Sequence, residues 1–259
     1  MDWGLTETLL ALGVVPVGVA DVAGYRRWFS QPALPSGVVD VGFGDQPNLE
    51  LLTDLRPDLI LITQQFAGAE PFLKRVTKTL TIEINTAQGR PFERACQATL
   101  QLSSLLRRGS AGAALVAAAT AFMEAARAKL RSYDQRPLYL FEFEDARHVT
   151  VFGAKGLFQE VLDRLGLRNA WSGPTNDWGF VITDLEHLAG NPEARFVCVG
   201  GRSRPGGSIA IKGGLWRSLV PVQSGRVVDL PPILFYGAVP TATRFATLLT
   251  DALLKDSAG

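Results

Sequence analysis

The chain has 259 residues, with 26 lysines and arginines against 25 aspartates and glutamates, for a net charge of +1. Apolar residues make up 47% and charged residues 20%, enough apolar material for one large or two small cores. This balance weighs against a nucleic-acid or membrane-surface partner held by bulk positive charge, and no run of 18 apolar residues suggests a membrane span.

In chain order, residues 5–12 read as a helix ending at Gly13, and 14–20 as a strand. Tyr25, Trp28 and Phe29 fall in the loop that follows. Asn48 caps a helix through Leu49–Leu55, and Glu50 in its first turn suits the helix dipole. Arg56-Pro57-Asp58 stops it. Residues 59–63 are a strand with no polar alternation, 70–76 a short helix, 80–84 a strand and 91–108 a helix.

The longest element predicted is a helix from Ser110 to Tyr133, about 36 Å at helical rise. Val116, Ala119, Phe122, Met123, Ala126, Leu130 and Tyr133 form its apolar stripe. Strands 138–143 and 148–153, a helix 158–166, strands 195–201 and 226–230, and a closing helix 239–254 complete the chain. Apolar strands alternating with helices predict α/β architecture with a mostly parallel sheet in each half. Gly200–Gly214 reads as a mobile loop. The halves are residues 1–109 and 135–259, joined by the helix 110–134.

Few residues suit chemistry. His148 and His187 lie far apart without companion ligands, so protein-held metal is not expected. There is no G-x-S-x-G elbow, P-loop or dinucleotide fingerprint. Glu142, Glu144 and Asp145 cluster at a strand end, where a solvated turn competes with a catalytic role. Cys96 and Cys198 read as buried thiols. Aromatic residues in strand-to-helix connections stand out instead: Trp28, Phe66, Trp171, Trp178, Phe235 and Tyr236. Such connections are where open α/β sheets bind ligands.

LLALGVVPVGVADVAGYRRW, VVDVGFGDQPNLELLTDLRPDLIL, RHVTVFGAKGLFQEVLDRLGLRNAWSGPTNDWG and the FYGA before the last helix occur in order. Through them the chain resembles the FhuD-type ferric hydroxamate siderophore-binding proteins, within the cluster of periplasmic binding proteins that includes cobalamin binders. The resemblance implies a class III periplasmic binding protein: two Rossmann-like lobes joined by one long helix. It implies a periplasmic monomer that is not an enzyme and hands a ferric siderophore to an ABC permease dimer of the inner membrane. The siderophore, not a cofactor of the protein, ligates the iron. It also implies an export signal and a first strand ahead of the helix near Leu5. Neither is in the sequence as given, and a start lying upstream is expected.

By the same resemblance, Trp28, Asn176, Trp178 and Tyr236 line the cleft. Trp28 and Trp178 pack on apolar parts of the siderophore, and Asn176 and Tyr236 offer hydrogen bonds. The family's hydroxamate-binding arginine falls at Gly44, its tyrosine partner at Phe66, and a tryptophan at Leu234. Alternative polar contacts come from Gln64, Gln65, Asp45, Arg26, Arg27 or Arg202. Glu70 and Glu186 match the acidic residues that meet the permease. The substitutions at Gly44 and Phe66 keep a second cargo in play on the same fold: cobalamin, haem or ferric citrate. An enzyme built on the Glu142–Asp145 cluster is the remaining alternative.

Overall fold

The computed structural model describes residues 1–29, 31–202 and 205–256. It divides into two compact units. The first holds Met1–Thr86, Pro91–Ala119 and Tyr236–Thr241, and the second holds Ala87–Arg90, Thr120–Phe235 and the chain from Ala242 onward. The division falls inside the long helix rather than at residues 109 and 134. The segment carrying Tyr236 groups with the first unit, although the sequence reading put it in the second half.

In the first unit, α1 (Trp3–Ala11) is a buried helix. Asp2 caps it, accepting from the Leu5 N–H at 2.9 Å. Its interior threonines are satisfied locally: Thr6 and Thr8 donate to the carbonyls of Asp2 and Gly4, both at 2.8 Å. Glu7 is 0% exposed on the same helix. Its carboxylate accepts from the Ala238 N–H and, at 2.8 Å, from the Thr241 hydroxyl, across 231 and 234 residues of sequence. Those donors stand at the start of α11 (Val239–Asp256), where the helix leaves N–H groups unpaired and its dipole favours a carboxylate. This bond is the physical reason that Tyr236 belongs to the first unit.

Strand β1 is only Gly18–Val19 and pairs in parallel with β2 (Val39–Asp40). Between them lies α2 (Val22–Trp28), which the sequence reading took for a loop. Its two short turns, with Gly24 among them, give little periodic signal: Tyr25 and Phe29 pack inward, stacked at 4.6 Å, while Arg26 and Arg27 are exposed. Helix α3 (Leu49–Leu55) is capped by Asn48 as expected and closed by Arg56 in a left-handed conformation before Pro57. Strand β3 (Ile60–Thr63) pairs in parallel with β4 (Thr79–Ile82). The short α4 (Glu70–Leu73) and α5 (Pro91–Leu105) follow in sequence. Strands β1 and β3 are not bonded to each other. A pocket of about 250 Å³ lies there, lined by Pro16–Gly18 on one side and Leu59–Leu61 on the other.

Helix α6 (Gly109–Lys129) tightens into a 3-10 turn at Leu130–Ser132. Its buried positions are Gly112, Ala119, Met123, Ala126, Leu130 and Tyr133, with Val116 and Phe122 half-buried at the edges. The stripe is the one predicted. Gly109–Ser132 is also long and apolar enough, by length and composition alone, to cross a membrane, which qualifies the absence of a candidate span in the sequence reading. Its narrow buried stripe is the pattern of a helix packed along one face within protein.

The second unit is built on a five-stranded sheet ordered β7-β6-β5-β8-β9. The strands are β5 (Leu138–Phe143), β6 (His148–Phe152), β7 (Phe180–Asp184), β8 (Arg195–Val199) and β9 (Val227–Leu230). Two of its four pairings are antiparallel, so the sheet is mixed, not mostly parallel. The short turn between β5 and β6 permits only a hairpin, which accounts for the first of these pairings.

Both faces are covered. Phe141, Phe143, Phe196 and Trp216 cluster on one, Trp216 coming from α9 (Gly214–Ser218). On the other, Phe152 and Phe158 meet at 5.0 Å, and Phe158 stacks on Phe245 at 4.1 Å. Two-sided burial explains why β5 reads as a continuous apolar run. Helix α7 (Leu157–Leu165) ends at Gly166 in a left-handed conformation. The Gly200–Gly214 stretch contains α8 (Pro205–Ala210) where a loop was expected, and residues 203–204 of it lie outside the described residues.

Burial raises the Glu7 pKa to about 8 in the folded chain. The folded state therefore holds this proton more tightly than the unfolded chain, and stability falls as pH rises from about 4.5 toward 8. Glu7→Gln should flatten this part of the stability–pH profile while keeping an acceptor for the Ala238 N–H. Glu7→Ala, which strands buried donors, should cost about 2–4 kcal/mol. Urea denaturation at pH 5 through 8 checks both.

Candidate functional site

The first unit contains a concave site of about 340 Å³ at the ends of its strands. Four elements of chain build it. The start of α1 contributes Asp2 and Trp3, the β1–α2 junction Ala20 and Asp21, the β2–α3 loop Phe43, Gly44 and Asp45, and the turn after β3 Gln65 and Phe66. Tyr236 closes the set.

The local reasons for these placements are specific. Asp21 takes a left-handed conformation and caps α2, accepting from the Gly24 N–H at 2.9 Å. The Trp3 indole donates to the Ala20 carbonyl at 2.9 Å and meets Phe29 edge-on at 6.3 Å. The chain turns into a 3-10 segment at Gln64–Ala69, directing Phe66 back over Gly44. A Cβ on residue 44 would fall 2.4 Å from the Phe66 ring. Gly44 and Phe66 are therefore one packing unit, and the ring occupies the space where a larger residue 44 would begin.

Burial and the nearby Asp2 and Asp21 carboxylates push the Tyr236 phenol up to about 12, so it stays a neutral hydroxyl that donates and accepts. Burial also raises the Asp2 pKa, opposed by its bonds from the Leu5 N–H and the Thr63 hydroxyl. Among the described residues no lysine, arginine or histidine side chain lines the site. It can offer aromatic faces, hydroxyl and amide groups, and carboxylates.

Phe66, Gln65 and Tyr236 are thus brought together, with Gly44 and Asp45 beside them. Trp28 is not among the lining residues. It sits half-buried at the end of α2. Asp2, Trp3, Asp21 and Phe43 line the site without having been singled out. A cap position at Asp2 and the VGFG turn at Phe43 were the available signals. Among the alternative polar groups, Gln64 is occupied, donating to the Asn85 carbonyl and accepting from the Ile84 N–H. Arg202 is held by Asp229 in a two-pronged pair, at 3.0 Å from Nε to Oδ1 and 2.7 Å from Nη2 to Oδ2. Arg26 and Arg27 are exposed in the last turn of α2. Leu234 is buried.

In the second unit, Asn176 and Trp178 lie in one turn. The Asn176 side-chain oxygen accepts from the backbone N–H groups of Trp178 and Phe180, at 3.0 and 3.2 Å. Gly179 has φ +78°, and a Cβ there would fall 2.1 Å from the Gly156 backbone. Only glycine permits that approach, which fixes the Trp178 loop against the β6–α7 connection. Glu70 opens α4, half-buried. Its carboxylate meets Lys74 at 2.6 Å and the Thr81 hydroxyl at 3.2 Å, and the Lys74 bond lowers its pKa. Glu186 is exposed in the 3-10 turn Leu185–Gly190.

Of the acidic cluster of the enzyme alternative, Glu142 lies in β5, and Glu144 and Asp145 in the turn that follows it. Asp145 accepts from the Arg147 and His148 N–H groups and contacts the His148 ring at 2.8 Å, which lowers its pKa to about 2. Glu144 accepts from the Thr150 hydroxyl. Cys96 and Cys198 form no disulfide. Among the described residues no group of three or more histidines, cysteines or carboxylates is placed to hold a metal ion.

A two-unit α/β chain of this kind is a substrate-binding protein by fold, and the chain belongs to the periplasmic binding protein family, whose model matches residues 1–234. The iron(3+)-hydroxamate-binding protein FhuD of Escherichia coli is 33% identical over 253 residues, covering 98% of this chain and 85% of that protein. The FhuD of Vibrio cholerae, solved with bound Fe3+–Desferal, superposes with a TM-score of 0.91 at 27% identity, covering 98% of this chain and 96% of that one. The petrobactin-binding protein YclQ of Bacillus subtilis shares the fold at a TM-score of 0.79 and 15% identity.

The Gly44–Phe66 packing unit makes a direct prediction. Gly44→Ala should destabilise the chain by about 1 kcal/mol, in the lower range for overpacking, and the penalty should vanish in a Phe66→Ala background. A double-mutant cycle by urea denaturation measures that coupling.

Proposed function

We propose that this protein binds a ferric hydroxamate-type siderophore and delivers it to an ABC importer of the inner membrane. The observation that carries the reading is the near full-length match to the Vibrio cholerae protein that holds Fe3+–Desferal. The aromatic and hydroxyl lining around Phe66 and Tyr236 supports it, being suited to the apolar arms and polar rim of such a chelate. In this reading the protein is a periplasmic monomer, performs no catalysis and holds no cofactor of its own. Iron enters only inside the siderophore. Glu70 and Glu186 are the residues that meet the permease dimer, and the Lys74 contact keeps the Glu70 carboxylate charged and oriented.

Titrating intrinsic tryptophan fluorescence with ferric hydroxamates, ferric citrate, haem and cobalamin tests the cargo. A ferric hydroxamate should bind with a Kd of about a micromolar or tighter. Binding of cobalamin, haem or ferric citrate alone would replace the cargo while keeping the fold. Gly44→Arg combined with Phe66→Tyr should bring no gain for simple ferric hydroxamates, because a tyrosine keeps the ring that crowds residue 44.

For docking, Glu70→Arg with Glu186→Arg should abolish siderophore uptake in a transport assay while leaving the fluorescence Kd unchanged. Uptake at the unaltered rate would remove both residues from the docking surface.

A further inference from the structure

Charge is unevenly spread along the second unit. Between Glu193 and Asp229 the sequence holds no aspartate or glutamate, yet it carries Arg195, Arg202, Arg204, Lys212, Arg217 and Arg226. Three of these cations are spoken for. Arg195 is buried beside Asp134, Arg202 is clasped by Asp229, and Arg226 reaches Glu193. Arg204 lies outside the described residues. Lys212 and Arg217 are exposed, and among the described residues no ion pair engages either.

Three short helices carry this stretch: α8 (Pro205–Ala210), α9 (Gly214–Ser218) and α10 (Val220–Gln223). Ala210, Trp216 and Leu219 turn inward and join the aromatic core on one face of the sheet. Ile209, Leu215 and Val220 are left outside, 60%, 46% and 43% exposed. Along the chain the two cations alternate with these aliphatics, in the order Ile209, Lys212, Leu215, Arg217, Val220. Acidic groups border the layer. Glu144 and Asp145 abut the start of α8 but are engaged by Thr150 and His148, and Glu186 is exposed in the turn against which α9 packs.

Protein interfaces are anchored by aromatic residues seated in pockets, and here the one aromatic residue, Trp216, faces the core. Aliphatic side chains set between unpaired cations match a lipid surface instead. The aliphatics enter the boundary between headgroups and acyl chains, and the cations meet phosphate. The net charge of +1 supplies no bulk attraction, so the local excess is what counts.

We infer that the α8–α10 layer is a membrane-contact surface that rests on anionic phospholipid through Lys212 and Arg217, with Ile209, Leu215 and Val220 entering the headgroup boundary. This is a second site, and it stands or falls separately from the cargo. On the delivery reading above, it adds a bilayer contact beside Glu186.

Sedimentation of the whole chain with vesicles tests it. One set is phosphatidylcholine alone, the other equal parts phosphatidylcholine and phosphatidylglycerol. At about 0.05 M salt the anionic vesicles should bind about fivefold or more protein than the neutral ones, and about 1 M salt should remove the difference. Lys212→Glu with Arg217→Glu should abolish the preference. Ile209→Ser with Leu215→Ser should lower binding about threefold with the charge unchanged. Arg107→Glu with Arg108→Glu, a reversal of exposed cations in the first unit, should leave it within about twofold. All these side chains are exposed, so the fold is kept, and the urea midpoint of each variant checks that. Equal binding to both vesicles overturns the inference, as does a preference that survives Lys212→Glu with Arg217→Glu. An equal loss in the Arg107–Arg108 variant reduces it to unspecific charge attraction and overturns it too. Unaltered binding by Ile209→Ser with Leu215→Ser removes the insertion. Failure to bind either vesicle, with capture of polyglutamate through Lys212 and Arg217, overturns it in favour of an acidic protein partner.

Discussion

The carboxylate of Glu7 is the constraint on which the first unit depends. A fully buried glutamate is unfavourable unless its oxygens are satisfied, and here a backbone N–H and a hydroxyl at the start of α11 satisfy them. The bond joins residues near opposite ends of the sequence. It holds the 236–241 segment against α1, and with it Tyr236. Asp2, one turn earlier on the same helix, caps α1 and reaches Thr63 at the end of β3. One buried helix thus carries two carboxyl groups, one holding the 236–241 segment and the other the end of β3. The cost is a pair of raised pKa values, which makes this corner of the protein sensitive to proton concentration.

The second unit is organised by a different rule. Its strands carry aromatic residues on both faces, and the β5–β6 hairpin sets the antiparallel half of the sheet. Connections on this sheet are held by backbone contact rather than by side-chain bulk. Gly156 and Gly179 approach so closely that Gly179 accepts no Cβ and one on Gly156 would press on the Gly179 backbone at 3.1 Å, and the Asn176 side chain closes the same turn. Trp178 is therefore presented from a turn whose shape is fixed by two glycines and an asparagine.

Much of this was legible in the sequence, and the failures have physical causes. The long helix, its buried stripe, the Asn48 cap, the Gly166 stop and the strand at 138–143 all follow from local chemistry and period. Helix α2 was missed because a seven-residue element gives two turns of signal and its aromatics read as loop decoration. The strand read across 14–20 shrank to Gly18–Val19; Val15 and Val17 ahead of it are exposed, and the Val17 carbonyl still accepts from the Val39 N–H at 3.1 Å. The site was half visible. Phe66 and Tyr236 could be named from motifs, yet Asp2 and Asp21 enter it through long-range packing that no local pattern encodes.

Gly44 and Phe66 look like two independent losses when read along the sequence. In space they are one exchange. Removing the side chain at 44 makes room for a ring at 66, and the ring then supplies the surface that the glycine cannot. Residue 44 carries no side chain and the Phe66 ring fills the space above it, so this edge of the site is an apolar face. A change at either position is therefore felt at the other, and the shape of this edge is a property of the pair.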